Sequence, residues 1–508
     1  MFTYTPLHLA GALLLIAVAF KIAYSIYLLW LHPMSKYPGP KLAAVSELWY
    51  ARSWTSGDWH KRLHEAHKKY GDIVRIAPNE LSFATMQSFK DIYGPPSKTR
   101  KLFPKSDLFY DVGVRNLVFE MDPNEHAKLY KLFAPAFRTS ALRSQEHVIH
   151  EHMDIFLNQL RRLGTEGGKS INIAAWLEWL TFDIIGQLTF GESFHEVANA
   201  KPDDWTKLLL GSLFGGSILN MQKRLRILKP IVQYAPWLSP SVVSALGDLQ
   251  QHYILTLART RRRIAEGPVD DKTQDFFTHV LQHGSEEDKN GLSLSAHATL
   301  MLTAGAETSA HALGSACWFL AQPSNAKCMK ALQDEVRGAF EKLEDITGDR
   351  LAPLPYLNAV LEETMRVMPP SPVGPPRVSP GETVDGVYVP AGTYVSADLW
   401  SIHHDPRNTP QPWTFDPSRW LGSEQESESE KSAQGKRRPF SVPFLIGPRM
   451  CIGVNLAWME MRIVLAKLVW SFDWSLENAE LDLVNESKLF QLWLKMEVNV
   501  KLVDARRQ

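Results

Sequence analysis

A glycine-punctuated run around Cys451 constrains this chain more than any other stretch of its sequence. The run reads Phe444-Leu-Ile-Gly447-Pro-Arg449-Met-Cys451-Ile-Gly453, and a helix-forming stretch over 454–462 follows it directly. Glycines allow a backbone to turn sharply and to come close to a large flat ligand. A thiol at a helix N-terminus beside a cation has a lowered pKa and is available as thiolate. The sequence therefore predicts a tight loop that presents a reactive or metal-binding thiol.

Cys451 has two interpretations, a buried structural thiol or a metal ligand, and most free cysteines are of the first kind. The residues here match F-x-x-G-x-R-x-C-x-G at each fixed position, which resembles the haem-binding loop of the cytochrome P-450 family. In that family a thiolate ligand directs electron density into haem and favours O–O cleavage. The resemblance implies that Cys451 is the axial ligand of haem b and that Arg449 binds a propionate. Phe444 would lie against the proximal face near the sulfur, and Gly453 would let the backbone approach the ring.

A second motif lies within a long apolar helix predicted over residues 291–320. It reads Ala304-Gly305-Ala306-Glu307-Thr308-Ser309, and its acid and hydroxyl must find partners or face solvent. A solvated polar face is the simpler interpretation, but the motif resembles the distal oxygen-binding helix of the same family. The resemblance implies that small residues at 304 and 305 leave room for haem, O2 and substrate. It also implies that Thr308 and Glu307 are catalytic, with the Thr308 hydroxyl bonded to the backbone and relaying protons to dioxygen.

Two further stretches resemble the buried ion network of the family. Leu361-Glu-Glu363-Thr-Met-Arg366 places Glu363 and Arg366 on one helical face, and Phe415-Asp-Pro417-Ser-Arg419-Trp420 follows downstream. Pairs with this spacing also occur on many surface helices. The resemblance implies that Glu363, Arg366 and Arg419 form an architectural network behind the haem loop.

Two other residues match positions at which the family binds haem propionates. Arg377 follows Pro375-Pro376, and His126 begins a segment that ends at Tyr130. The family often has arginine at the position of Tyr130, and a tyrosine offers a hydrogen bond but no charge. We therefore expect haem anchorage to depend more on Arg377 and Arg449, and the effect of Tyr130 stays open.

The N-terminus is the most apolar region of the chain. Residues 7–31 are almost wholly apolar and as a helix would be about 37 Å long, enough to cross a hydrocarbon layer of about 30 Å. A cleaved signal peptide is the alternative, but no basic segment precedes the run and no small-residue cleavage site follows it. Lys36 and Lys41 follow the span, so the positive-inside rule places the rest of the chain in the cytosol. Pro38-Gly39-Pro40 would be a stiff hinge between an anchor in residues 1–36 and one catalytic domain in residues 37–508.

The remaining sequence predicts an α+β protein that is mainly α-helical, like the cytochrome P-450 fold, with a long distal helix and small β-sheets. Predicted helices cover 123–137, 140–163, 174–192, 203–222 and 239–266. Predicted strands lie in 72–85, 384–389, 393–395 and 490–503, and predicted loops in 96–121 and 422–438. The formal net charge is +0, which does not favour a nucleic-acid partner, and three cysteines are too few for a disulfide framework.

Taken together, the motifs and the resemblance imply a membrane-anchored haem-thiolate monooxygenase. Its electrons would come from NADPH through a separate flavoprotein reductase, because the chain has no G-x-G-x-x-G loop after a strand. It would insert one atom of O2 into an apolar small molecule in secondary-metabolite biosynthesis. We expect a single-pass protein of the endoplasmic reticulum membrane, with substrate contacts in 109–114, 209–219, 300–304, 373 and 490–493.

Other functions remain open at this point. A haem-thiolate isomerase or dehydrase would work without external electrons, although such proteins often lose the acid–threonine pair that this chain keeps. A non-catalytic haem sensor would need neither the threonine nor an electron partner. A zinc protein built on Cys451 lacks the required neighbouring ligand spacing.

Overall fold

The computed structural model describes residues 6–225, 240–268, 275–422 and 438–505. Helices dominate these residues and short strands lie between them, so the predicted mainly helical α+β class is confirmed. The helices up to residue 225 are α1 (Pro6–Trp30), α2 (Lys41–Val45), α3 (Leu48–Thr55), α4 (Trp59–Tyr70), α5 (Met86–Tyr93), α6 (Asp107–Tyr110), α7 (Pro123–Phe133), α8 (Thr139–Leu160), α9 (Ile173–Phe190), α10 (Glu196–Asn199) and α11 (Asp204–Arg224). The later helices are α12 (Pro240–Glu266), α13 (Phe276–His283), α14 (Gly291–Ala321), α15 (Ala326–Ala339), α16 (Gly348–Leu351), α17 (Pro355–Val367), α18 (Leu399–His403), α19 (Val454–Ser471) and α20 (Leu483–Glu486).

The strands of the described residues pair into small sheets. They are β1 (Ile73–Ala77), β2 (Glu80–Phe83), β3 (Ile171–Asn172), β4 (Arg377–Val378), β5 (Glu382–Val384), β6 (Val387–Val389), β7 (Tyr394–Ala397), β8 (Phe472–Leu476), β9 (Lys488–Phe490), β10 (Leu492–Leu494) and β11 (Asn499–Asp504). The largest sheet has the order β1-β2-β7-β4, with β2 and β7 parallel. A second sheet has the order β3-β11-β8, and β5-β6 and β9-β10 are hairpins.

Sequence patterns located the strands only in part. The hairpin predicted in 70–85 is confirmed, because β1 and β2 pair antiparallel with Ile73 opposite Phe83. A single strand over 384–389 is wrong, since Asp385 and Gly386 have φ angles of 49° and 77° and form the turn between β5 and β6. The tail over 490–503 is also divided, because β10 and β11 belong to different sheets. The loop predicted at 422–438 lies almost entirely outside the described residues.

The long helix α14 runs through the hydrophobic core. The Asn290 side chain caps its start by accepting a hydrogen bond from the Leu292 N–H (2.9 Å), and nearly all of residues 306–320 are buried. Helix α9 packs along it, and the close approach requires Gly305, because a Cβ atom there would lie 2.6 Å from Cδ1 of Ile185. Helix α19, which begins just after the Cys451 loop, also contacts α14. This packing fixes the 304–309 motif relative to that loop.

Helix α1 is long and apolar enough over His8–Trp30 to cross a membrane. Its C-terminal end is held by the body of the protein, because Arg75 of β1 donates a hydrogen bond to the Leu28 carbonyl (2.8 Å). The Arg75 N–H also donates to the Pro38 carbonyl (2.8 Å), and a Cβ atom at Gly39 would collide with the Arg75 carbonyl. The segment Pro38-Gly39-Pro40, which the sequence predicts to be a stiff hinge, therefore packs against β1.

Candidate functional site

An internal cavity of about 400 Å³ lies between α14 and the loop before α19. Cys451 belongs to one part of its lining, and Ala304, Gly305 and Thr308 of α14 belong to another. The two strongest sequence motifs therefore face the same space, although they lie far apart in the chain.

The loop before α19 presents the Cys451 side chain to this cavity. The Cys451 N–H donates to the Phe444 carbonyl (2.9 Å), which closes the loop on itself. Gly447 has a φ of 73°, and a Cβ atom there would collide with the Tyr93 carbonyl, so glycine is required. Gly453 has an ordinary φ of −84°, and a Cβ atom there would lie 3.9 Å from the Cys451 sulfur. The backbone conformation does not require glycine at 453, and the missing side chain leaves space beside the sulfur.

The protein alone does not lower the pKa of the Cys451 thiol. The sulfur is open to the cavity, but protein surrounds that cavity, so burial raises the thiol pKa while the Gly453 N–H opposes the rise. Arg449 directs its guanidinium to the carbonyls of Glu120 and Met121 (3.0 and 3.1 Å). The predicted lowering of this pKa is therefore wrong for the protein without haem, because the effect of burial outweighs that of the Gly453 N–H. A metal ion that coordinates a thiol deprotonates it directly.

Thr308 and Ser309 line the cavity from the side of α14. The Thr308 hydroxyl donates to the Ala304 carbonyl one turn earlier (2.6 Å), the backbone contact that the sequence predicts. Helix α14 nevertheless continues unbroken through this turn. Because the hydroxyl proton is engaged with Ala304, the Thr308 oxygen presents its lone pairs to a partner in the cavity.

Glu307 does not share that face of α14. Glu307 does not line the cavity, and its carboxylate pairs with the Lys495 ammonium (3.1 Å). Lys495 also pairs with Glu178 of α9 (2.7 Å). Burial raises the pKa of Glu307 to about 7, although Lys495 acts to lower it. The predicted catalytic pair is therefore divided between two faces of one helix.

Three cationic side chains that line the cavity form a cluster, which we call the cation cluster: Lys105, Arg377 and Arg449. Arg377 donates to the Pro376 carbonyl (3.1 Å), and Lys105 and Arg449 both donate to the Glu120 carbonyl (3.1 and 3.0 Å). No carboxylate of the described residues lies within ion-pair distance of any of the three. Burial and then Arg449 lower the pKa of Lys105 to about 6, and burial and then Arg377 lower that of Arg449 to about 10.

His126 and Tyr130 of α7 line the cavity beside the cation cluster. Asp122 caps α7 by accepting from the Asn124 N–H (2.7 Å), and Pro123 occupies the first turn. Burial and then Arg449 lower the pKa of His126 to about 3, so its ring is neutral and provides one N–H donor. Tyr130 adds no charge at the position where the family pattern has arginine.

These residues fit a haem b. Its two propionate carboxylates extend from one edge of a flat ring, and buried cations need such anionic partners to offset their loss of hydration. The cation cluster would meet that need, the Cys451 sulfur would serve as the thiolate ligand, and the small Ala304 side chain leaves space on the α14 side. The described residues contain no group of three metal-ligating side chains, so a zinc site at Cys451 is not supported.

Glu363, Arg366 and Arg419 lie together in one buried network. Arg366 forms two parallel hydrogen bonds to Glu363 (2.8 Å each), and the Arg419 Nε lies 3.4 Å from the same carboxylate. The Trp420 indole N–H also donates to Glu363 (2.9 Å). Arg366 and Glu363 are fully buried, and the pair is bidentate, the geometry in which a buried ion pair is best compensated.

Sequence reasoning missed several polar residues of the site. Glu460 of α19 lines the cavity, and burial raises its pKa to about 8 while a hydrogen bond from Ser309 acts to lower it. An acid within an otherwise apolar helix was a readable signal for this residue. Lys105 gave no such signal, because it lies in a loop without periodicity, and Lys495 meets Glu307 only through the tertiary fold.

The remaining lining is mostly apolar. It includes Leu117, Val118, Phe133, Phe137, Ile185, Phe276, Leu300, Met301 and Val373. Of the expected substrate contacts, Tyr110, Val373 and residues 300, 301 and 304 line the cavity. Residues 490–493 do not line it within the described part of the chain, and several side chains of 209–219 lie outside that part.

Comparison with known proteins places these features in one family. The sequence model of the cytochrome P-450 family matches residues 37–500 of this chain. The cytochrome P-450 monooxygenase BOA3 of Botryotinia fuckeliana is 38% identical over 494 residues, which cover 97% of this chain and 95% of that protein. The monooxygenase astJ of Aspergillus oryzae is 37% identical over 490 residues (96% and 95%). The monooxygenase btcC of Colletotrichum orbiculare is 35% identical over 498 residues (97% and 94%).

Proposed function

The chain belongs to the cytochrome P-450 family and is a haem-thiolate monooxygenase, and on that premise we propose that it oxygenates an apolar small molecule of secondary metabolism. One atom of O2 enters the substrate and the other leaves as water, with two electrons and two protons consumed. The observation that carries this proposal is a cavity lined by a thiol, a cation cluster and an apolar wall.

The proposed roles of the residues follow from their positions. Bound haem supplies the activation of O2, and its thiolate ligand favours O–O cleavage. Cys451 holds the iron, while Arg377, Arg449 and His126 hold the propionate edge. Phe444 and Gly453 border the ring beside the sulfur. The apolar wall excludes water and orients the substrate by shape, since it offers few hydrogen-bonding groups.

Thr308 Oγ1 is the proposed point of proton transfer on the cavity side of α14. It accepts a hydrogen bond from a cavity water, while its own proton is held at the Ala304 carbonyl (2.6 Å). We propose that Glu307 supplies the exchangeable proton from behind the helix, because a pKa near neutrality suits proton transfer. The carboxyl must release Lys495 before it turns towards Thr308.

We propose that residues 1–36 anchor the protein in the endoplasmic reticulum membrane and that residues 37–508 form one cytosolic catalytic domain. The exposed apolar surface of α1 and the lysines that follow it support this topology. The electrons come from NADPH through a separate flavoprotein reductase. Alkaline extraction and protease protection of microsomes test the proposal: the chain should resist extraction, and its catalytic domain should be digested without detergent.

Two variants test the proposed site. Cys451→Ser should abolish the Soret band that sulfur-ligated haem shows when reduced under carbon monoxide, whereas Cys328→Ser should retain it. Thr308→Ala should keep that band but form less product per NADPH consumed, since proton delivery is impaired. An unchanged band in Cys451→Ser overturns the ligand assignment, and undiminished product yield in Thr308→Ala overturns the relay. Shifts of the haem band across a panel of apolar compounds identify the substrate class.

A further inference from the structure

Helix α1 carries one lysine within its apolar sequence, and the body of the protein provides that lysine with a partner. Lys21 is the only lysine, arginine, aspartate or glutamate in residues 1–35. Its ammonium donates to the Val45 carbonyl (3.2 Å), at the C-terminal end of α2. A helix C-terminus has unpaired carbonyls and a partial negative charge, so it favours a nearby cation. Lys21 therefore connects α1 to α2.

The part of α1 that follows Lys21 is joined to the folded body. Leu28 is 1% exposed, and the Arg75 guanidinium donates to its carbonyl (2.8 Å). From Lys21 to Leu28 the helix rises by about 10 Å. A bilayer is about 40–45 Å thick around a hydrocarbon core of about 30 Å, so each headgroup layer is about 5–8 Å thick. The body therefore begins about one headgroup layer beyond Lys21.

The side chains of α1 also change in kind at Lys21. Residues 9–20 are glycine, alanine, leucine, isoleucine, valine and phenylalanine, without a polar side chain. After Lys21 come three exposed aromatic residues with polar groups, Tyr24, Tyr27 and Trp30 (44%, 40% and 67%). Tyrosine and tryptophan are enriched where a membrane meets water, because their rings are apolar while their polar groups stay hydrated. This order indicates that the hydrocarbon layer ends near Lys21.

The apolar part of α1 before Lys21 is short for a membrane span. From Pro6 to Phe20 the helix is about 22 Å long, against about 27 Å for the hydrocarbon of the endoplasmic reticulum bilayer. A bilayer adapts to a short span by local thinning at modest cost, whereas a lysine in the middle of a span is costly. A span that ends at Lys21 is therefore favoured over one that encloses it.

We propose that the cytosolic boundary of the hydrocarbon layer lies at Lys21, and that residues 21–30 dock in the phospholipid headgroup layer together with Leu42 of α2 and Leu48 of α3. This inference rests on the membrane anchor proposed above and shortens the span predicted over 7–31. Leu42 and Leu48 are about half exposed (47% and 53%) and flank the Val45 carbonyl in the chain. The Lys21 ammonium has further N–H donors for a lipid phosphate. Because α1 is fixed to the body on both sides of this layer, it sets the height of the catalytic domain above the membrane.

Labelling of single cysteines in sealed microsomes with a charged, membrane-impermeant maleimide tests this boundary. Ala17 and Ala23 are matched positions, since both are exposed alanines of α1 and they lie on opposite sides of Lys21. In a Cys328→Ser background, Ala23→Cys should be labelled about tenfold more strongly than Ala17→Cys, because the reactive thiolate does not form in hydrocarbon. Detergent should make the two equally reactive. The parent protein without an added cysteine gives the background.

Variants at residue 21 test the role of its charge. Lys21→Leu should lower the labelling of Ala23→Cys severalfold, because no charge then keeps the bilayer surface at this residue. Lys21→Arg should keep the labelling of the parent, since a guanidinium also requires hydration. Lys21 does not line the cavity, so both variants should keep the Soret band of the reduced carbon monoxide complex, which shows that the catalytic domain is folded.

Equal protection of Ala17→Cys and Ala23→Cys in sealed microsomes overturns the boundary, because it places Lys21 inside the span. Equal labelling of the two overturns it as well, because the boundary then lies nearer the N-terminus. Unchanged labelling of Ala23→Cys in Lys21→Leu overturns the role of the charge. Release of the chain by alkaline extraction is a separate result, which overturns the membrane anchor itself.

Discussion

Two buried clusters of cations differ in how their charges are balanced. Around Glu363, the Arg366 and Arg419 guanidinium groups meet a carboxylate that belongs to the protein itself. In the cation cluster, Lys105 and its two arginines contact carbonyls and aromatic rings but no acid among the described residues. The first cluster is complete as folded, whereas the second requires an anion from elsewhere.

The difference identifies which cluster is architectural and which is a binding site. A buried charge loses its hydration, and only an opposite charge with good hydrogen bonds offsets that loss. Glu363 provides this within the fold, so the network links α17 to the segment around Arg419. The cation cluster has only the more distant Glu120 and Asp122 carboxylates to offset it, so a dianionic ligand would stabilise it further, which is a property of a cofactor site.

The largest effect is expected from breaking the balanced cluster. Glu363→Gln leaves the buried Arg366 without its counter-charge and should lower the free energy of unfolding by about 3–5 kcal/mol. Urea unfolding of the haem-loaded protein at pH 7 measures this loss. Glu65→Gln, on the exposed face of α4, is the matched control and should change little. A loss below about 1 kcal/mol in Glu363→Gln would show that the Glu363 charge does not stabilise the buried arginines to this extent.

A buried acid without a cation sharpens the comparison. Glu460 has a folded pKa of about 8, above its ordinary 4.5, so the folded protein keeps the proton while the unfolded chain ionises. Glu460 by itself therefore contributes a fall in wild-type stability of about 1.4 kcal/mol per pH unit between pH 5 and 8, and Glu460→Gln removes that contribution. Unfolding free energies of both proteins at pH 5, 6.5 and 8 should diverge as pH rises. A constant difference would show that Glu460 is ionised in the fold.

Removing a charge from the cation cluster should stabilise the apoprotein but weaken haem retention in the loaded protein. Arg449→Gln removes a guanidinium charge that repels Arg377 and lowers the pKa of Lys105, but keeps donors for the carbonyls that Arg449 binds. The apoprotein should therefore become more stable, by about 1 kcal/mol, while the loaded protein releases haem faster. Thermal unfolding of the apoprotein and haem transfer from the loaded protein measure the two effects. A destabilised apoprotein would mean that the cluster is balanced without a ligand.

The smallest effect is expected at a solvated ion pair. Arg143 lies 2.9 Å from Asp349, and both side chains are more than half exposed (59% and 64%). Water already stabilises both charges, so Asp349→Asn should cost less than about 1 kcal/mol. Added salt should reduce even that difference. If Asp349→Asn lowered the free energy of unfolding as much as Glu363→Gln does, burial would not explain the difference between these ion pairs.

Local patterns were informative where one short segment carries the constraint. The Cys451 loop, the α14 motif and the β1–β2 hairpin are such segments. Patterns failed at Asp385-Gly386, where a turn interrupts a strand-like run. The lowered thiol pKa was also wrong for the protein without haem, because burial of the Cys451 sulfur depends on distant segments that surround the cavity.

The sequence by itself determined the haem-thiolate loop, the distal helix and the mainly helical class, because each depends on residue types at fixed short spacing. Tertiary structure alone decided that Glu307 faces Lys495 while Thr308 faces the cavity, and that Lys105 joins Arg377 and Arg449. Charges act through space, and the partners of these groups come from segments far away in the chain. Their balance therefore exists only once the chain has folded.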